Sequence, residues 1–340
     1  MTASTLPAVR RRAGEWGWIG LAFAFLALLA CWPLWSDDYG LSVVRDILVF
    51  GLLALSLDYL WGKAGVLSFG HAAFFGIGAY SMAIFGPLAA GAGANAATVG
   101  LLAGLAIAAA VAGLIGYFLL FGGVRGPYFT IVTLAVSLVA QHIAIGWSEV
   151  TGGDAGLIGA PPPGLEIGGF SVLLFDAASL YYLVLVIVTA VLLGLWVALR
   201  GRYGRALAAI QDNELRAQTL GYNTSAYLLL VFVISSALAA LAGGLYASLS
   251  SYVAPDLVGL FLSTEVIVWV AVGGRGTLVG PVIGAFLVIR LQQEVSSIDF
   301  KIWPLFVGLF FVAMVFLFPR GLLPLLVQAV RRLLRSEVSR

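Results

Sequence analysis

The chain has 340 residues, of which 61% are hydrophobic and only 10% are charged, and its mean hydropathy is +1.05. Several apolar runs approach the ~20 residues that a helix needs to cross a bilayer, so the composition predicts a polytopic membrane protein. The net charge of +2 is too small to indicate nucleic-acid binding. A single cysteine, Cys31, excludes an internal disulfide framework and a cysteine metal cluster.

Apolar runs separated by turn signals predict an all-α membrane protein, with about ten transmembrane helices in a single domain over residues 1–340. The number falls to eight or nine if a short segment re-enters the membrane. The predicted spans cover residues 16–35, 41–60, 65–88, 97–121, 127–147, 179–199, 227–250, 259–273, 277–293 and 303–319.

The lysines and arginines are distributed unequally between the two predicted sides of the membrane. If the amino terminus with its three arginines is cytoplasmic, 15 of the 18 lysines and arginines lie on the cytoplasmic side, as the positive-inside rule requires. The exceptions, Arg45, Arg290 and Lys301, lie at or near the outer ends of predicted spans. We therefore expect cytoplasmic tails at residues 1–15 and 320–340.

Two long polar segments interrupt the apolar chain. Residues 200–226 carry six charged side chains, and the run from Arg205 to Leu220 predicts one short helix with Gly221 as its C-cap. This segment is either a solvated connection or a docking element.

Residues 148–178 form the second polar segment, on the outer side. Their glycine and proline content predicts an irregular loop. It is either a passive connector or a lip that a partner or the substrate touches. The candidate contact residues are Thr151, Gly152, Gly153 and Asp154.

Small residues recur at every fourth position in three spans, which predicts close helix packing rather than a function. The three stripes are Gly100, Gly104, Ala108, Ala112 and Gly116; Ser235, Ala239, Gly243 and Ala247; and Gly276, Gly280 and Gly284.

The run GKAGVLSFGHAAFFGIGAY, residues 62–80, overlaps the predicted third span. Glycine-rich, easily broken helices are typical of transport pathways, so Ser68, His71, Phe75 and Gly76 are candidate pathway or gate residues. On one continuous helix, Ser68 and Gly76 would share a face. Alternatively, His71 is a structural residue whose ring nitrogens bond a neighbouring serine or carbonyl group.

Charged residues at membrane depth cost about 2.5–3.5 kcal/mol on insertion scales, so each is expected to face protein or water. Glu265, in the run STEVIVWV, has no partner nearby in sequence. It is the best single candidate for a functional carboxylate in a pathway.

Three common catalytic motifs and one nucleotide-binding motif are absent from the sequence. No HExxH, GxSxG or CxxC run occurs, and the two histidines carry no metal-ligand pattern. We therefore expect no catalytic residue, metal or cofactor on this chain. GxxxxGK[ST] is also absent, so ATP, if it drives this protein, must be bound by another polypeptide.

Five collinear motifs resemble one family of membrane proteins. They are LALSLDYLWGKAGVLSFGHAAFFGIGAY (53–80), RGPYFTIVTLA (125–135), TGGDAGL (151–157), GRYGRALAAIQDNELRAQTLGYN (201–223) and VGGRGTLVGPVIGAF (272–286). These runs closely resemble the permease subunits of branched-chain amino acid ABC importers, and the LivM-type subunit in particular, over about residues 45–322.

The resemblance implies a multi-pass permease of the bacterial cytoplasmic (inner) membrane that pairs with a LivH-like second permease. Two cytoplasmic ATPases would bind ATP and Mg²⁺, and a soluble extracytoplasmic binding protein would deliver the substrate. Residues 200–226 would hold the coupling helix, the element that transmits ATPase movement to the permease.

The coupling interpretation assigns polar contacts to one side of this helix and buried residues to the other. Its candidate coupling residues are Arg205, Asp212, Asn213, Glu214, Ala217 and Gly221, and its apolar side would bury Leu207, Ile210, Ala217 and Leu220. Against the EAAxxxG pattern of importer permeases, Ala217 and Gly221 keep their register, whereas Leu215 and Arg216 replace the expected Glu and Ala.

The sequence leaves two substrate classes open, branched-chain amino acids and urea or short amides. The LivM resemblance favours leucine, isoleucine and valine, whereas the run EVIVWVAVGGRGTLVG (265–280) also resembles the permeases of urea and short-amide importers. An interpretation of another class is a gradient-driven secondary transporter that uses Glu265 or His71 for proton coupling. A membrane-embedded enzyme is a further alternative, for which the sequence offers no catalytic constellation.

Overall fold

A computed structural model describes residues 25–167, 170–173, 176–298, 308–309 and 321–324. The predicted tails at 1–15 and 320–340 and the predicted last span, 303–319, lie outside the described residues except at 308–309 and 321–324. The helices are α1 (Phe25–Leu34), α2 (Asp38–Ala64), α3 (His71–Gly91), α4 (Ala96–Phe121), α5 (Pro127–Gly146), α6 (Ser148–Thr151), α7 (Ala177–Arg200), α8 (Arg202–Asp212), α9 (Glu214–Thr219), α10 (Thr224–Ser250), α11 (Leu260–Gly273) and α12 (Val279–Ile298).

Six of these helices, α2, α3, α4, α5, α7 and α10, are long and apolar enough to cross a membrane. The apolar helices α1 and α11 are shorter. The predicted class, an all-α membrane protein, is therefore confirmed for the described part of the chain. The number of ten spans and the side on which each end lies stay predictions.

The centre of the bundle is formed by α3, α4 and α10, which pack closely on one another. Apart from Leu120, the buried residues of α4 are the predicted stripe from Gly100 to Gly116, and all four residues of the α10 stripe are buried. A Cβ atom on Gly243 of α10 would collide with the backbone carbonyl of Phe75 in α3. Small residues are thus required because the two backbones touch.

Helix α2 runs through the bundle and packs against α7, α10, α11 and α12. It begins at an N-cap, where the side chain of Asp37 accepts from the Gly40 amide at 3.0 Å. It ends at Gly65, whose φ of +80° is the left-handed conformation typical of a glycine after a helix.

The predicted third span, 65–88, is wrong at its start. Residues 65–70 are not helical, and α3 begins only at His71. Ser68 therefore precedes the helix and does not share a helical face with Gly76. The glycine content of this run had indicated an easily broken helix, and the break lies between Gly65 and Gly70.

The segment between α5 and α7, predicted as an irregular loop, contains regular structure. It holds α6 and the strands β1 (Leu157–Ile158), β2 (Gly164–Ile167) and β3 (Phe170–Leu173). β2 pairs with β3, and β1 pairs antiparallel with β4 (Tyr252–Val253), which follows α10. Pairing with a distant strand supplies hydrogen-bond partners that the local sequence does not reveal.

Candidate functional site

The polar segment between α7 and α10 folds into two helices rather than one. The predicted helix from Arg205 to Leu220 is interrupted at Asn213, which has an extended backbone with φ −158° and ψ 105°. The Asn213 side chain accepts from the Arg216 amide at 2.9 Å and so caps α9. We call α8 and α9 together the α8–α9 element.

Helix α8 is attached to the end of α2 that carries Lys63. The Tyr59 and Tyr203 hydroxyl groups are 2.7 Å apart, and the Gln211 side-chain amide donates to the Gly62 carbonyl at 2.9 Å. Burial raises the pKa of the Tyr203 phenol, so this group keeps its proton at neutral pH. The predicted apolar side is confirmed for Leu207 and Ile210 of α8, which are buried, and Ala206 is buried beside them.

Helix α9 is attached through an ion pair. Arg125, in the turn between α4 and α5, donates to Glu214 at 2.8 Å and to the Ser225 hydroxyl at 2.8 Å. The Thr224 hydroxyl donates to the same Glu214 oxygen at 2.9 Å. The partly buried carboxylate of Glu214 is therefore held by the turn between α4 and α5 and by the start of α10.

The other predicted coupling residues have different surroundings. Arg205, Asp212 and Asn213 are exposed, and Asp212 lies 4.0 Å from Arg216 in an exposed ion pair, which contributes little stability. Ala217 is buried. Whether these residues contact a partner stays a prediction.

Two leucines of the α8–α9 element project away from the bundle. Leu215 is 75% exposed and Leu220 is 70% exposed, so the prediction that Leu220 is buried is wrong. The extended backbone at Asn213 interrupts the helix, so the periodicity of α8 does not continue into α9. Leu215 is also a position at which the sequence departs from the family pattern, and this was the signal for an unusual surface.

Gly221 ends α9 with a φ of +88°. The Gly221 amide donates to Gln218 O at 2.9 Å and the Tyr222 amide donates to Ala217 O at 3.2 Å, which are the two hydrogen bonds of a Schellman motif. The prediction of Gly221 as the residue that terminates the helix is confirmed, in the position just after the C-cap Leu220.

Changing Gly221 to valine will disturb the end of α9, because a β-branched residue in the left-handed region costs about 1–2 kcal/mol. We expect reduced substrate stimulation of ATP hydrolysis in the assembled transporter, with normal insertion of the chain in the membrane. Gly201 has a φ of −80° and no atom closer than 3.6 Å to an added Cβ, so Gly201→Ala is the control. Unchanged stimulation in the Gly221→Val protein would contradict the prediction.

The break between α2 and α3 is lined by buried hydroxyl groups. Thr130 donates to the Leu67 carbonyl at 3.1 Å, and Thr133 accepts from the Phe69 amide at 3.2 Å. Ser68 is fully buried and accepts from the Gly70 amide at 3.1 Å. The nonhelical backbone is thus supplied with hydrogen bonds by α5 and by its own serine.

His71 is the first residue of α3 and is fully buried. Its Nε2 atom lies 2.7 Å from the Ser235 hydroxyl, and that hydroxyl donates to the Ser56 carbonyl. Because the single Ser235 proton is used on Ser56, Nε2 of His71 carries the proton and donates. The structural interpretation of His71 is supported, although its Nδ1 atom has no hydrogen-bond partner among the described residues.

The other predicted pathway residues lie on two helices, with Phe75 and Gly76 consecutive on α3 and Glu265 on α11. Phe75 is fully buried, and its ring stacks on the Phe50 ring with the centroids 6.0 Å apart. Gly76 contacts Val258. Gly76 also lines an apolar groove of about 560 Å³ between α3, α4 and α5. Glu265, on α11, is half-buried and makes no hydrogen bond or ion pair with the described residues. Their role in transport stays a prediction.

The predicted outer contact residues form a tight turn at the end of α5. The buried Thr151 hydroxyl group lies 2.6 Å from Ala144 O and 2.7 Å from Trp147 O. Gly152 and Gly153 have φ values of +74° and +61°, which favour glycine, and only Asp154 of the four is exposed. The turn leads into β1 and therefore positions the sheet with β4.

Sequence reasoning missed the contacts of Asp58, which is fully buried. Its carboxylate accepts from the Gly276 amide at 2.5 Å and from the Leu278 amide at 3.0 Å, in the turn between α11 and α12. Beside it, Arg275 lies 4.9 Å from the Trp61 ring centroid. Partial burial lowers the pKa of the Arg275 guanidinium, yet an arginine stays protonated in proteins.

These features together define a multi-pass helical membrane protein with a structured polar element at one end of the bundle. The chain belongs to the family described as branched-chain amino acid transport system permease component, which matches residues 40–318. It is 30% identical over 322 residues to the high-affinity branched-chain amino acid transport system permease protein LivM of Salmonella typhimurium and of Escherichia coli. Each match covers 89% of this chain and 74% of the relative.

A shorter match involves a relative with another substrate in its name. The autoinducer 2 import system permease protein LsrC of Photorhabdus laumondii is 27% identical over 114 residues, which cover 32% of this chain and 34% of that protein. No solved structure matches the chain. The resemblance to branched-chain amino acid permeases is therefore confirmed at the level of the family.

Proposed function

We propose that this chain is a transmembrane subunit of an ATP-driven importer, in which it forms part of the passage for branched-chain amino acids. The observation that carries the proposal is the pair of exposed leucines, Leu215 and Leu220, on the α8–α9 element. Both lie on a polar element that the positive-inside rule assigns to the cytoplasm, where a protein partner rather than lipid would cover exposed leucines. The remainder of the element is fastened to α2 and to Arg125, so a partner that moves it also moves the bundle.

The proposed partner at this surface is a cytoplasmic ATPase. The end of the bundle that bears the α8–α9 element also bears Lys63, Arg125 and Arg275, and the positive-inside rule assigns such an end to the cytoplasm. No nucleotide motif occurs in this chain, so ATP and Mg²⁺ would be bound by two separate ATPase subunits, and this chain itself would not be an enzyme.

A second permease and a soluble binding protein complete the proposed assembly in the bacterial cytoplasmic (inner) membrane. Among the described spans, α4, α5 and α7 bury the smallest share of their residues, which leaves apolar area for lipid and for a LivH-like partner. The turn at Thr151 and the strands β1–β4 at the opposite end would lie outside the cell, where a binding protein delivers substrate.

The branched-chain amino acid is proposed from the relatives named LivM. The proposed passage includes the break around Ser68 and His71, the neighbouring Phe75 and Gly76, and Glu265. These residues are mostly buried within the chain, so they would reach the passage only through a movement of the helices. A gradient-driven transporter would have no use for the exposed leucines of the α8–α9 element.

The test is uptake by the full complex in proteoliposomes loaded with ATP. We expect uptake of radiolabelled leucine that requires hydrolysable ATP, the ATPases and the binding protein, and that persists when an ionophore dissipates the proton gradient. A complex without this chain is the control. Uptake that follows the proton or sodium gradient and ignores ATP would contradict the proposal. Uptake of urea in place of leucine would contradict the proposed substrate but not the proposed importer class.

A further inference from the structure

We propose that Asp58 is a positioning residue for energy coupling, because its carboxylate fastens the turn between α11 and α12 to the part of α2 that carries the α8–α9 element. This turn comprises residues 274–278, and we call it the α11–α12 turn. The inference rests on the proposed function, since it concerns how movement of the α8–α9 element reaches the helices of the passage.

The last two turns of α2 contact the α8–α9 element on one side. Tyr59 shares a 2.7 Å hydrogen bond with Tyr203, and the carbonyl of Gly62 accepts from Gln211 at 2.9 Å. Both contacts are made by α8, the helix that directly follows the long span α7. A displacement of α8 therefore acts first on residues 59–62 of α2.

The same part of α2 contacts the α11–α12 turn on another side. Besides the two bonds accepted by Asp58, the Lys63 ammonium donates to the Gly276 carbonyl at 2.6 Å. The backbones of Gly62 and Gly276 also touch, since a Cβ atom on Gly62 would lie only 2.5 Å from the Gly276 nitrogen. Gly62 thus stands between α8 and the turn, with Gln211 at its carbonyl group and Gly276 at its Cα atom.

The turn depends on Asp58 for its conformation. Gly276 has a φ of +78° and Leu278 a φ of +64°, and the left-handed conformation is uncommon for a leucine. The Gly276 and Leu278 amides point at a fully buried carboxylate, and a hydrogen bond to a charged group in such surroundings is strong. Asp58 thereby supplies the partners that hold this turn in one shape and at one distance from α2.

Movement of the turn would reach the break between α2 and α3. Helix α11 ends at the turn, and near its beginning the Ser263 hydroxyl accepts from the Ala72 amide at 3.4 Å, at the start of α3. The same helix carries Glu265. The chain of contacts therefore runs from α8 through α2 and the turn to α11, and from there to the buried residues around His71.

The test replaces Asp58 with asparagine, which keeps the volume but loses the charge and presents an N–H group to a backbone N–H group. In the full complex, we expect the leucine transported per ATP hydrolysed to fall about tenfold, the effect of losing a hydrogen bond to a charged group. Basal ATP hydrolysis and the yield of complex should remain. Hydrogen exchange of the α11–α12 turn should also become faster.

Asp46→Asn is the matched control. Asp46 lies on the same helix, near its other end, and is paired with Arg45 at 2.9 Å, so its loss should leave transport per ATP unchanged. If the Asp58→Asn complex fails to assemble, the Lys63→Met complex is measured in its place. This change removes the hydrogen bond from Lys63 to the Gly276 carbonyl, so transport per ATP should also fall.

The result that would overturn the inference is unchanged transport per ATP in the Asp58→Asn complex, or in the Lys63→Met complex where that variant has to decide. Failure of the proposed function gives a different result, since the unmodified complex would then show no ATP-dependent leucine uptake. A loss of transport in strict proportion to the loss of assembled complex, with normal transport per ATP, would show that Asp58 has a purely structural role.

Discussion

Replacing Leu215 and Leu220 together with serine should weaken binding of the ATPase subunits at least about tenfold, because fully burying a leucine side chain contributes about 1.5–3 kcal/mol and tenfold in affinity corresponds to about 1.4 kcal/mol. The fold should not change, since both side chains are mostly exposed. The measurement is the amount of ATPase that remains bound to the purified chain over a range of ATPase concentrations.

The control for this experiment keeps an apolar group at both positions. The double change Leu215→Met and Leu220→Met preserves buried area in a flexible side chain, so ATPase binding should be close to that of the unmodified chain. Equal binding by the serine and methionine proteins would show that the two leucines lie outside the interface, and the docking proposal would then rest on the charged residues alone.

Replacing Gly243 with alanine should strongly destabilise the bundle. The added Cβ atom would overlap the Phe75 carbonyl and lie 3.1 Å from the Ala79 nitrogen, and both are backbone atoms that cannot rotate away. Overpacking of this kind costs about 1–3 kcal/mol and sometimes more. The expected result is a lower melting temperature of the purified chain in detergent, with a lower yield of the assembled complex.

Gly194→Ala provides the same chemical change where there is room for it. Gly194 lies inside α7, and no atom beyond the neighbouring backbone of its own helix is within 4 Å of an added Cβ atom. Alanine has the higher helix propensity, by about 1 kcal/mol in water, so the melting temperature should stay the same or rise. Equal melting temperatures for the Gly194 and Gly243 variants would contradict close contact between α3 and α10.

The packing stripes illustrate what periodicity can predict. A small residue at every fourth position allows two helices to approach whichever helix is the partner, and the stripes of α4 and α10 are buried as expected. The stripe does not indicate which helix packs against it. Contact between Gly243 and α3 depends on how α10 packs against α3 and α4, two helices that are distant from it in sequence.

The α8–α9 element illustrates a local rule that was insufficient. The buried positions of α8 and the end at Gly221 follow from helical periodicity and from the conformational freedom of glycine. The interruption at Asn213 does not, because asparagine is tolerated within many helices and acts as a cap only where the surroundings favour a change of direction. Here Arg125, in the turn between α4 and α5, binds Glu214, the first residue of α9. This contact fixes where α9 begins.

The sequence by itself determined the membrane class, most of the helix ends and the family, because hydropathy, caps and motifs are properties of neighbouring residues. Only the tertiary structure decided that α3 begins at His71, that Leu215 and Leu220 point outwards, and that Asp58 binds the α11–α12 turn. Each of these depends on a hydrogen bond or contact between residues far apart in the chain. A buried carboxylate requires donors, but only the folded bundle specifies that Gly276 and Leu278 provide them.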